Sequence, residues 1–376
     1  MDSTTQPEIQ LDRLLYTQYQ HHNLEQANRF FIDFGFKPVK QSANLIFYRG
    51  FGKHPFIYVA ERSPDNVKRF VGGGWLVSSK KDLEVASQLP GASYIEDSTA
   101  PGGGQFVDVK DPNGINVRLL FGVTLRAEDE QKEEEPKPVV MNNRNEKPRK
   151  REFQRFDNGP SRVHKLGHYG LVVDRSQFET TVAWYLSTFN LTETDSLFDK
   201  ASGKDMMTFM HIDKGKEFTD HHVSTWTDKT PSPSSCHAKE EADRVFEQSF
   251  FIQSPPEPVK NCRPHHSSFE VDNMDSQTMG HYHLQGQGWT NCWGIGRHLL
   301  GSQIFDYWFD PSGNIVKHYS DGDIVNCETT VPKEPAAPDT MAVWGPNVTL
   351  AFLTTRMEDI KKGVAASAVE QDAVAS

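Results

Sequence analysis

The sequence has few cysteines and no long hydrophobic run. Only four of its 376 residues are cysteines, and none forms a CxxC pair, which favours free thiols in a reducing compartment over a disulfide framework. No run of about 18 apolar residues occurs, so no segment is predicted to span a membrane. The first twenty residues are polar and lack the apolar stretch of a secretory signal. We therefore expect a soluble, cytoplasmic protein.

An excess of positive charge is also missing. The net charge is −11, and no basic face dominates, which argues against nucleic acid as the main partner. Hydrophobic residues make up 36% of the chain and charged residues 24%, as is usual for a globular protein. The length is sufficient for two domains, each with its own core. The oligomeric state stays open, a homo-oligomer included.

A charged, proline-containing segment divides the chain. Residues 127–162 have almost no apolar periodicity, so they bury too little surface to offset the entropy of ordering. We interpret them as a linker between an N-terminal domain, residues 1–126, and a C-terminal domain, residues 163–328. Residues 329–376 are interpreted as an extension with a small, polar tail.

The two halves repeat one order of elements. Each contains two units with an opening strand, a helical segment and several short strands, and each second unit closes with a D-P-x-G turn, in "FVDVKDPNGINVRLLF" and "IFDYWFDPSGNIVKHY". D-P-x-G is typical of a tight turn between antiparallel strands, with glycine where a positive φ is needed. Aligning the units places Tyr16 opposite His168, Gly72 opposite His266 and Arg118 opposite Lys317.

This layout resembles the vicinal oxygen chelate superfamily, which includes glyoxalases, bleomycin-resistance proteins and type I extradiol ring-cleavage dioxygenases. Four units across two domains are similar to the extradiol branch in particular. The resemblance implies an α+β, two-domain vicinal oxygen chelate fold, with four βαβββ modules paired into two domains. It also implies a catalytic C-terminal domain, a structural N-terminal domain, and a small aromatic substrate that reacts with dioxygen.

In that branch, Fe(2+) is held by two histidines and one carboxylate, which leave open positions for substrate and dioxygen. The resemblance carries the two histidine positions to His168, in "KLGHYGLVV", and to His266, in "HHSSFEV". A lone strand histidine is more often a half-buried structural residue, but two at equivalent strand starts make that interpretation weaker. Strand alternation points His265 to the opposite face, so we prefer His266 as the ligand.

Two further positions come from the segment "WGIGRHLLGSQIFDYWFDPSG", which resembles the signature of the branch. It implies that His298 acts as an acid–base residue and that Tyr307 binds the substrate hydroxyl, since a catechol must lose protons when it chelates iron. The alternative is that His298 caps a turn and Tyr307 fills a pocket wall. Weaker pocket candidates are His221, His222 and Trp226, and Trp344 is expected to be a packing anchor.

The position of the family carboxylate holds Lys317, or Val316 if the turn is one residue shorter, and neither is acidic. Exchanging a carboxylate for an ammonium at about 4 Å from a dication costs roughly 4 kcal/mol per unit of charge at an effective dielectric constant of 20. Four interpretations stay open. His318 could enter through a bulge; Lys317 could be neutral and buried; Asp306, Asp321 or Glu270 could supply a carboxylate; or the metal could be absent.

The sequence therefore supports three hypotheses. The first is an Fe(2+)-dependent extradiol-type dioxygenase that cleaves a catecholic or polyphenolic ring, in aromatic breakdown or in secondary metabolite biosynthesis. The second is a related isomerase, cyclase or lyase that acts on a phenolic or polyketide substrate, with Lys317 stabilising a phenolate or enolate. The third is a non-catalytic binding protein on the same fold.

Overall fold

Two large mixed sheets carry the architecture of the protein. The computed structural model describes residues 9–137, 139–156, 158–220, 249–255, 259, 261–337 and 341–363. The first sheet has eight strands in the order β2-β3-β4-β1-β5-β8-β7-β6. Their bounds are β1 Leu11–His21, β2 Lys37–Gln41, β3 Leu45–Arg49, β4 Tyr58–Arg62, β5 Arg69–Val77, β6 Glu96–Asp97, β7 Gln105–Lys110 and β8 Asn116–Phe121.

The second sheet has ten strands in the order β19-β10-β11-β13-β9-β14-β17-β16-β15-β20, and β12 pairs with β18 separately. Strands β19 and β20 come from the C-terminal extension and cover the two edges of this sheet. The bounds are β9 Val163–Val172, β10 Leu191–Phe198, β11 Asp205–Ile212, β12 Thr219–Asp220, β13 Ser249–Gln253, β14 Arg263–Val271, β15 Thr290–His298, β16 Ile304–Phe309, β17 Ile315–Ser320, β18 Ile324–Val325, β19 Lys333–Pro335 and β20 Ala342–Trp344.

The helices are short, and their ends follow local sequence signals. Helix α1 begins after Asn23, whose side chain accepts a hydrogen bond from the Gln26 amide, and ends at Gly35 with φ 106°. Helix α5 is capped in the same way by Asn273. None of the helices in the described ranges is long and apolar enough to cross a membrane. The bounds are α1 Leu24–Phe34, α2 Lys80–Ala86, α3 Glu128–Glu134, α4 Phe178–Thr188, α5 Met274–Gly286 and α6 Leu350–Thr354, with 3₁₀ turns at Arg175–Gln177 and Met357–Lys362.

The repeated βαβββ units of the sequence are present in both sheets. In the first sheet β1 is antiparallel to β5, and each is parallel to the last strand of its own unit, β4 and β8. In the second sheet β9 is antiparallel to β14, with β13 and β17 as the parallel partners. The expected α+β fold of four modules is therefore observed.

The predicted alignment between the halves is confirmed by strand register. Tyr16 lies opposite Gly74, which lies opposite Arg118 in the neighbouring strand. His168 lies opposite Ser268, which lies opposite Lys317. Gly72 lies opposite Gln18, two residues after Tyr16, and the corresponding place in β14 holds both His265 and His266.

The halves pack through one continuous core. Both D-P-x-G turns reach across: the side chain of Asn113 donates to Thr181 Oγ1 at 2.9 Å, and Ser312 Oγ lies 3.0 Å from His21 Nδ1. The charged segment 127–162 differs from the expected structureless linker at one place, because α3 forms within it. Glu134 at the end of α3 accepts two hydrogen bonds from Arg49, at 2.6 and 2.8 Å, which gives this helix a fixed contact.

Candidate active site

The side chains of two histidines approach each other from neighbouring strands in the middle of the second sheet. His168 lies in β9 and His266 in β14, and both side chains are buried. Their Nε2 atoms are 3.2 Å apart. Burial, together with the electrostatic cost of placing a second charge beside His265 and His168, lowers the pKa of His266 well below its usual value, which favours the neutral imidazole.

A bulge in β14 brings a third imidazole to the same side. Between Pro264 and Ser267 the strand carries one residue more than its partner β9, where Leu171 and Tyr169 lie opposite. His265 and His266 consequently face the same cavity, with their Nδ1 atoms 2.8 Å apart. The expectation that His265 points away is wrong, because alternation assumes an unbroken strand. Burial lowers the pKa of His265 to about 3.

His298 and Tyr307 form a hydrogen-bonded pair with a defined proton arrangement. Nδ1 of His298 is 2.9 Å from the carbonyl oxygen of Met341, which can only accept, so Nδ1 carries the hydrogen. Nε2 is then an acceptor, and the Tyr307 hydroxyl, 2.8 Å away, donates to it. Burial raises the pKa of Tyr307 well above its usual value, so the phenol is neutral.

Lys317 lies in β17, directly opposite Tyr307 in β16. The residue is 1% exposed, and its side-chain nitrogen donates a hydrogen bond to the side-chain oxygen of Gln303. The described residues include no carboxylate in an ion pair with it. Burial lowers the pKa of Lys317 well below its usual value, which favours a neutral amine with a free lone pair.

These groups share one cavity, which we call the inner cavity. It encloses about 520 Å³ of empty space, including its mouth. Its polar lining comes from His168, His265, His266, His298, Tyr307 and Lys317, and its apolar walls from Leu197, Met207, Phe209, Phe251, Leu300, Met341 and Phe352. Aromatic and aliphatic walls around a few polar groups are the usual composition of a small-molecule site.

The alternative donors expected from the sequence do not line the inner cavity. His318 lies on the other face of β17, where its Nε2 donates to the carbonyl oxygen of Phe34 at 2.8 Å. Asp306 is buried and accepts from Trp308 at 2.7 Å. Asp321 binds Arg297, and Glu270 lies 3.1 Å from His164. Among the described residues, no group of three or more His, Cys, Asp or Glu side chains is arranged to hold a metal.

The nitrogen donors of the inner cavity fit a divalent metal, but no carboxylate of the described residues joins them there. Two imidazole nitrogens 3.2 Å apart can both contact a metal at about 2.1 Å, at close to a right angle. A neutral Lys317 in the same cavity would be a third nitrogen donor. Imidazole suits iron among other metals, whereas no carboxylate of the described residues lines the cavity to reduce the charge of the site.

The remaining sequence candidates have different outcomes. His221, His222 and Trp226 lie outside the described residues. Trp344 is 41% exposed in β20, so it is not the buried packing anchor that was expected, because an edge strand leaves one face of its side chains in solvent.

In the first sheet, the equivalent positions are filled. The Tyr16 ring occupies the space above Gly74, where a Cβ atom would lie 2.0 Å from the ring. Arg118, equivalent to Lys317, forms an ion pair with Asp108 at 2.7 Å. This half therefore packs where the second half has its histidines.

Comparison with known proteins supports the same fold. The chain aligns with the Mn(II)-bound glyoxalase of Novosphingobium aromaticivorans with a TM-score of 0.65 and 18% identity, over 90% of this chain and 92% of the other. It aligns with homoprotocatechuate 2,3-dioxygenase of Arthrobacter globiformis with a TM-score of 0.66 and 15% identity, over 95% and 94%. The corresponding enzyme of Brevibacterium fuscum, in complex with 3,4-dihydroxyphenylacetate, gives 0.66 and 16%, over 94% of both chains.

Sequence comparison adds one local match. The chain is 33% identical to metapyrocatechase 2 of Cupriavidus necator over 90 residues, which is 24% of this chain and 28% of that protein. No family model matches. The protein therefore has the two-domain vicinal oxygen chelate fold, in the four-module arrangement of the type I extradiol ring-cleavage dioxygenases.

Several residues of the inner cavity had no signal in the sequence. Phe352 and Met341 belong to the C-terminal extension, which lies outside the repeated units. Gln303, which accepts a hydrogen bond from Lys317 behind the cavity lining, has no signal of its own within the signature segment. His265 could have been found only by predicting the bulge.

Proposed function

We propose that the protein is an extradiol-dioxygenase-like enzyme that binds a catecholic or polyphenolic substrate in the inner cavity of its C-terminal domain and cleaves its ring with dioxygen. The observation that supports this most is the 3.2 Å approach of His168 Nε2 and His266 Nε2 beside the His298–Tyr307 pair. The N-terminal half braces this domain, since its equivalent positions are filled by Tyr16 and Arg118.

His298 and Tyr307 are proposed to carry a substrate proton. Because the Tyr307 hydroxyl donates to His298 Nε2, its oxygen can accept the hydrogen of a substrate hydroxyl. As Tyr307 passes its own proton to His298 Nε2, its oxygen takes the proton of the substrate hydroxyl, so the phenol is neutral before and after the transfer. The Met341 carbonyl that accepts from Nδ1 stabilises the resulting imidazolium.

His168 and His266 are proposed to hold Fe(2+), with Lys317 as a neutral third donor. Bound there, iron would supply the redox chemistry of ring cleavage between a catecholate and dioxygen. The apolar walls of Phe251 and Phe352 exclude water and take up the ring by burial. Without a carboxylate, we expect weaker retention of iron than a two-histidine, one-carboxylate site gives.

A second candidate function is favoured by the amine itself. A neutral Lys317 within a cavity that also holds an acid–base pair could bind a phenolate or enolate without metal, as in an isomerase, cyclase or lyase. A binding protein without catalysis is the third candidate. Iron dependence separates the first candidate from both of the others.

The test is iron content and oxygen uptake on one preparation. Protein purified and reconstituted without oxygen is expected to hold about one iron per chain and to consume dioxygen with a catechol, forming a ring-opened product. His266→Ala is expected to lose both. His211→Ala is the matched control, because His211 is a buried histidine in the same sheet that binds Thr194 Oγ1 at 2.9 Å and does not line the inner cavity.

Two results would contradict the proposal. Absence of iron together with rearrangement of a phenolic substrate would favour the isomerase or lyase alternative. Binding of catechols with no turnover, with or without iron, would favour the binding protein.

A further inference from the structure

The inner cavity continues into two further cavities. A second space of about 710 Å³, here called the apolar passage, shares Leu197, Met207 and Met341 with the inner cavity. Its other lining is almost entirely apolar, with Gln253 as the one polar side chain among the described residues. A third space, here called the cationic groove, shares Pro255 and Leu353 with the apolar passage. The three cavities are therefore adjacent in series.

The cationic groove takes its name from Lys68, Arg263 and Arg356. Arg263 donates through Nε to Thr355 Oγ1 at 2.9 Å and through Nη2 to the Thr354 carbonyl at 3.4 Å. Lys68 donates to the Gly313 carbonyl at 2.6 Å. Neither has a carboxylate within ion-pair distance among the described residues, whereas Arg356 pairs with Asp359 at 2.9 Å.

The positive charge of the groove is least offset at Arg263. Asp310, and Glu358 on the lining, both offset part of the charge of Lys68. Arg263 is half-buried, and burial together with the neighbouring Arg356 lowers its pKa, as is expected of a cation without a counterion. Since no carboxylate of the described residues pairs with Arg263, the groove suits an anion of a single charge at this residue, and the fork of Arg263 matches a carboxylate.

The distance from the groove to the site limits the ligand. Arg263 begins β14 and lies three residues before His266; because the strand is bulged between them, their Cα atoms are at most roughly 10 Å apart. The inner cavity and the groove share no lining residue, and the apolar passage shares residues with both. A ligand that reaches both therefore needs an apolar chain between its ring and its charge.

We propose that the substrate of this site is a catecholic ring bearing a long apolar chain that ends in a carboxylate. The ring occupies the inner cavity, the chain lies in the apolar passage, and the carboxylate binds Arg263 and Lys68. The inference rests on the proposed function for the position of the ring, but the chain and the carboxylate are argued from the passage and the groove alone.

The test uses matched ligands and calorimetry without oxygen. One ligand is a 4-alkylcatechol whose straight chain spans that roughly 10 Å and ends in a carboxylate; the other is its methyl ester. The wild-type protein is expected to bind the acid about tenfold more tightly than the ester, because hydrogen bonds to a charged group are stronger. The ratio of the two affinities should fall towards one in Arg263→Gln and be reduced in Lys68→Gln.

The controls keep the outcome decisive. Lys361→Gln removes an exposed lysine of the C-terminal extension that does not line the groove. This variant should keep the wild-type ratio of acid to ester affinity. Lys68→Gln replaces an exposed residue, so it reports on the groove even if Arg263→Gln fails to fold. Equal affinity of acid and ester in the wild type, or an unchanged ratio in both variants, would overturn the proposal.

A third ligand distinguishes this failure from failure of the proposed function. An alkanoate of the same chain length has no catechol and tests the passage and the groove alone. If the alkanoate binds in a manner that depends on Arg263 while catechols do not bind, the proposed function fails and the carboxylate site stands. If no alkanoate or chain-bearing acid binds, the inference fails whatever simple catechols do.

Discussion

Lys317 places an amine in a cavity whose other polar groups are imidazoles and a phenol. Its hydrogen bond to Gln303 uses one N–H, and burial disfavours the charged form. Burial therefore favours the neutral amine, whose lone pair would not repel a metal. The sequence predicted the position of Lys317, but the charge of the side chain depends on burial that only the structure reveals.

The first prediction concerns Lys317→Glu. A carboxylate in place of a neutral amine adds one negative charge beside the proposed dication, worth up to about 8 kcal/mol at about 4 Å and an effective dielectric constant of 20, since each of the two positive charges contributes about 4 kcal/mol. We expect the Fe(2+) dissociation constant to fall at least tenfold, since desolvation of the carboxylate offsets part of this gain. The measurement is anaerobic titration with Fe(2+) against a competing chelator.

Lys317→Gln is the control for Lys317→Glu. It removes the amine without adding a charge, so it should not strengthen iron binding. If Lys317→Glu and Lys317→Gln change the affinity equally, or if the wild type already retains iron as tightly as Lys317→Glu, then Lys317 does not occupy the position of the metal carboxylate.

At the scale of elements, the C-terminal extension completes the inner cavity. Helix α6 places the Phe352 ring 4.8 Å from the ring of His265 and 4.7 Å from that of Tyr307. The strand–helix modules and their alignment could be predicted, because hydrophobic periodicity and two D-P-x-G turns are local signals. The position of α6 could not, since it depends on packing between segments far apart in the sequence.

The second prediction is that Phe352→Ala opens this wall. Loss of a buried aromatic ring is expected to destabilise the fold by about 3 kcal/mol and to weaken the binding of an aromatic ligand about tenfold. Urea denaturation and calorimetry measure the two effects. Val343→Ala, in the same extension but 61% exposed, is expected to change neither; equal effects of the two substitutions would contradict a specific role for α6.

At the scale of the whole molecule, buried histidines join the two halves. His318 stacks on Phe34 of α1 with ring centres 3.7 Å apart, while its Nε2 donates to the carbonyl oxygen of the same residue. His21 of β1 contacts Ser312 in the closing turn of the other half. Sequence patterns assign each histidine to a strand, but they do not show that the opposite face of the same strand meets another domain.

These contacts make stability depend on pH. Burial lowers the pKa of His318 to about 3 and also lowers that of His21. Below about pH 6.5 the unfolded chain therefore binds protons that the folded protein does not. The stability that these neutral histidines contribute is fully present above that pH and is lost as the pH falls towards 3. Asp272, whose pKa burial raises to about 6, opposes this trend, as do Asp111, Asp306 and His281, whose pKa values are also raised.

The third prediction is a loss of stability in mildly acidic solution. Between pH 7 and 5.5, His318 is expected to reduce the free energy of unfolding by about 1 kcal/mol, before most carboxylates titrate. Urea denaturation at the two pH values measures the loss, and His318→Asn should reduce it by about that amount. His22→Asn, at an exposed neighbour of His21, should leave it unchanged. If His318→Asn shows the wild-type loss, protonation of the unfolded chain at this position does not drive the pH dependence, and the contact between His318 and α1 has no part in it.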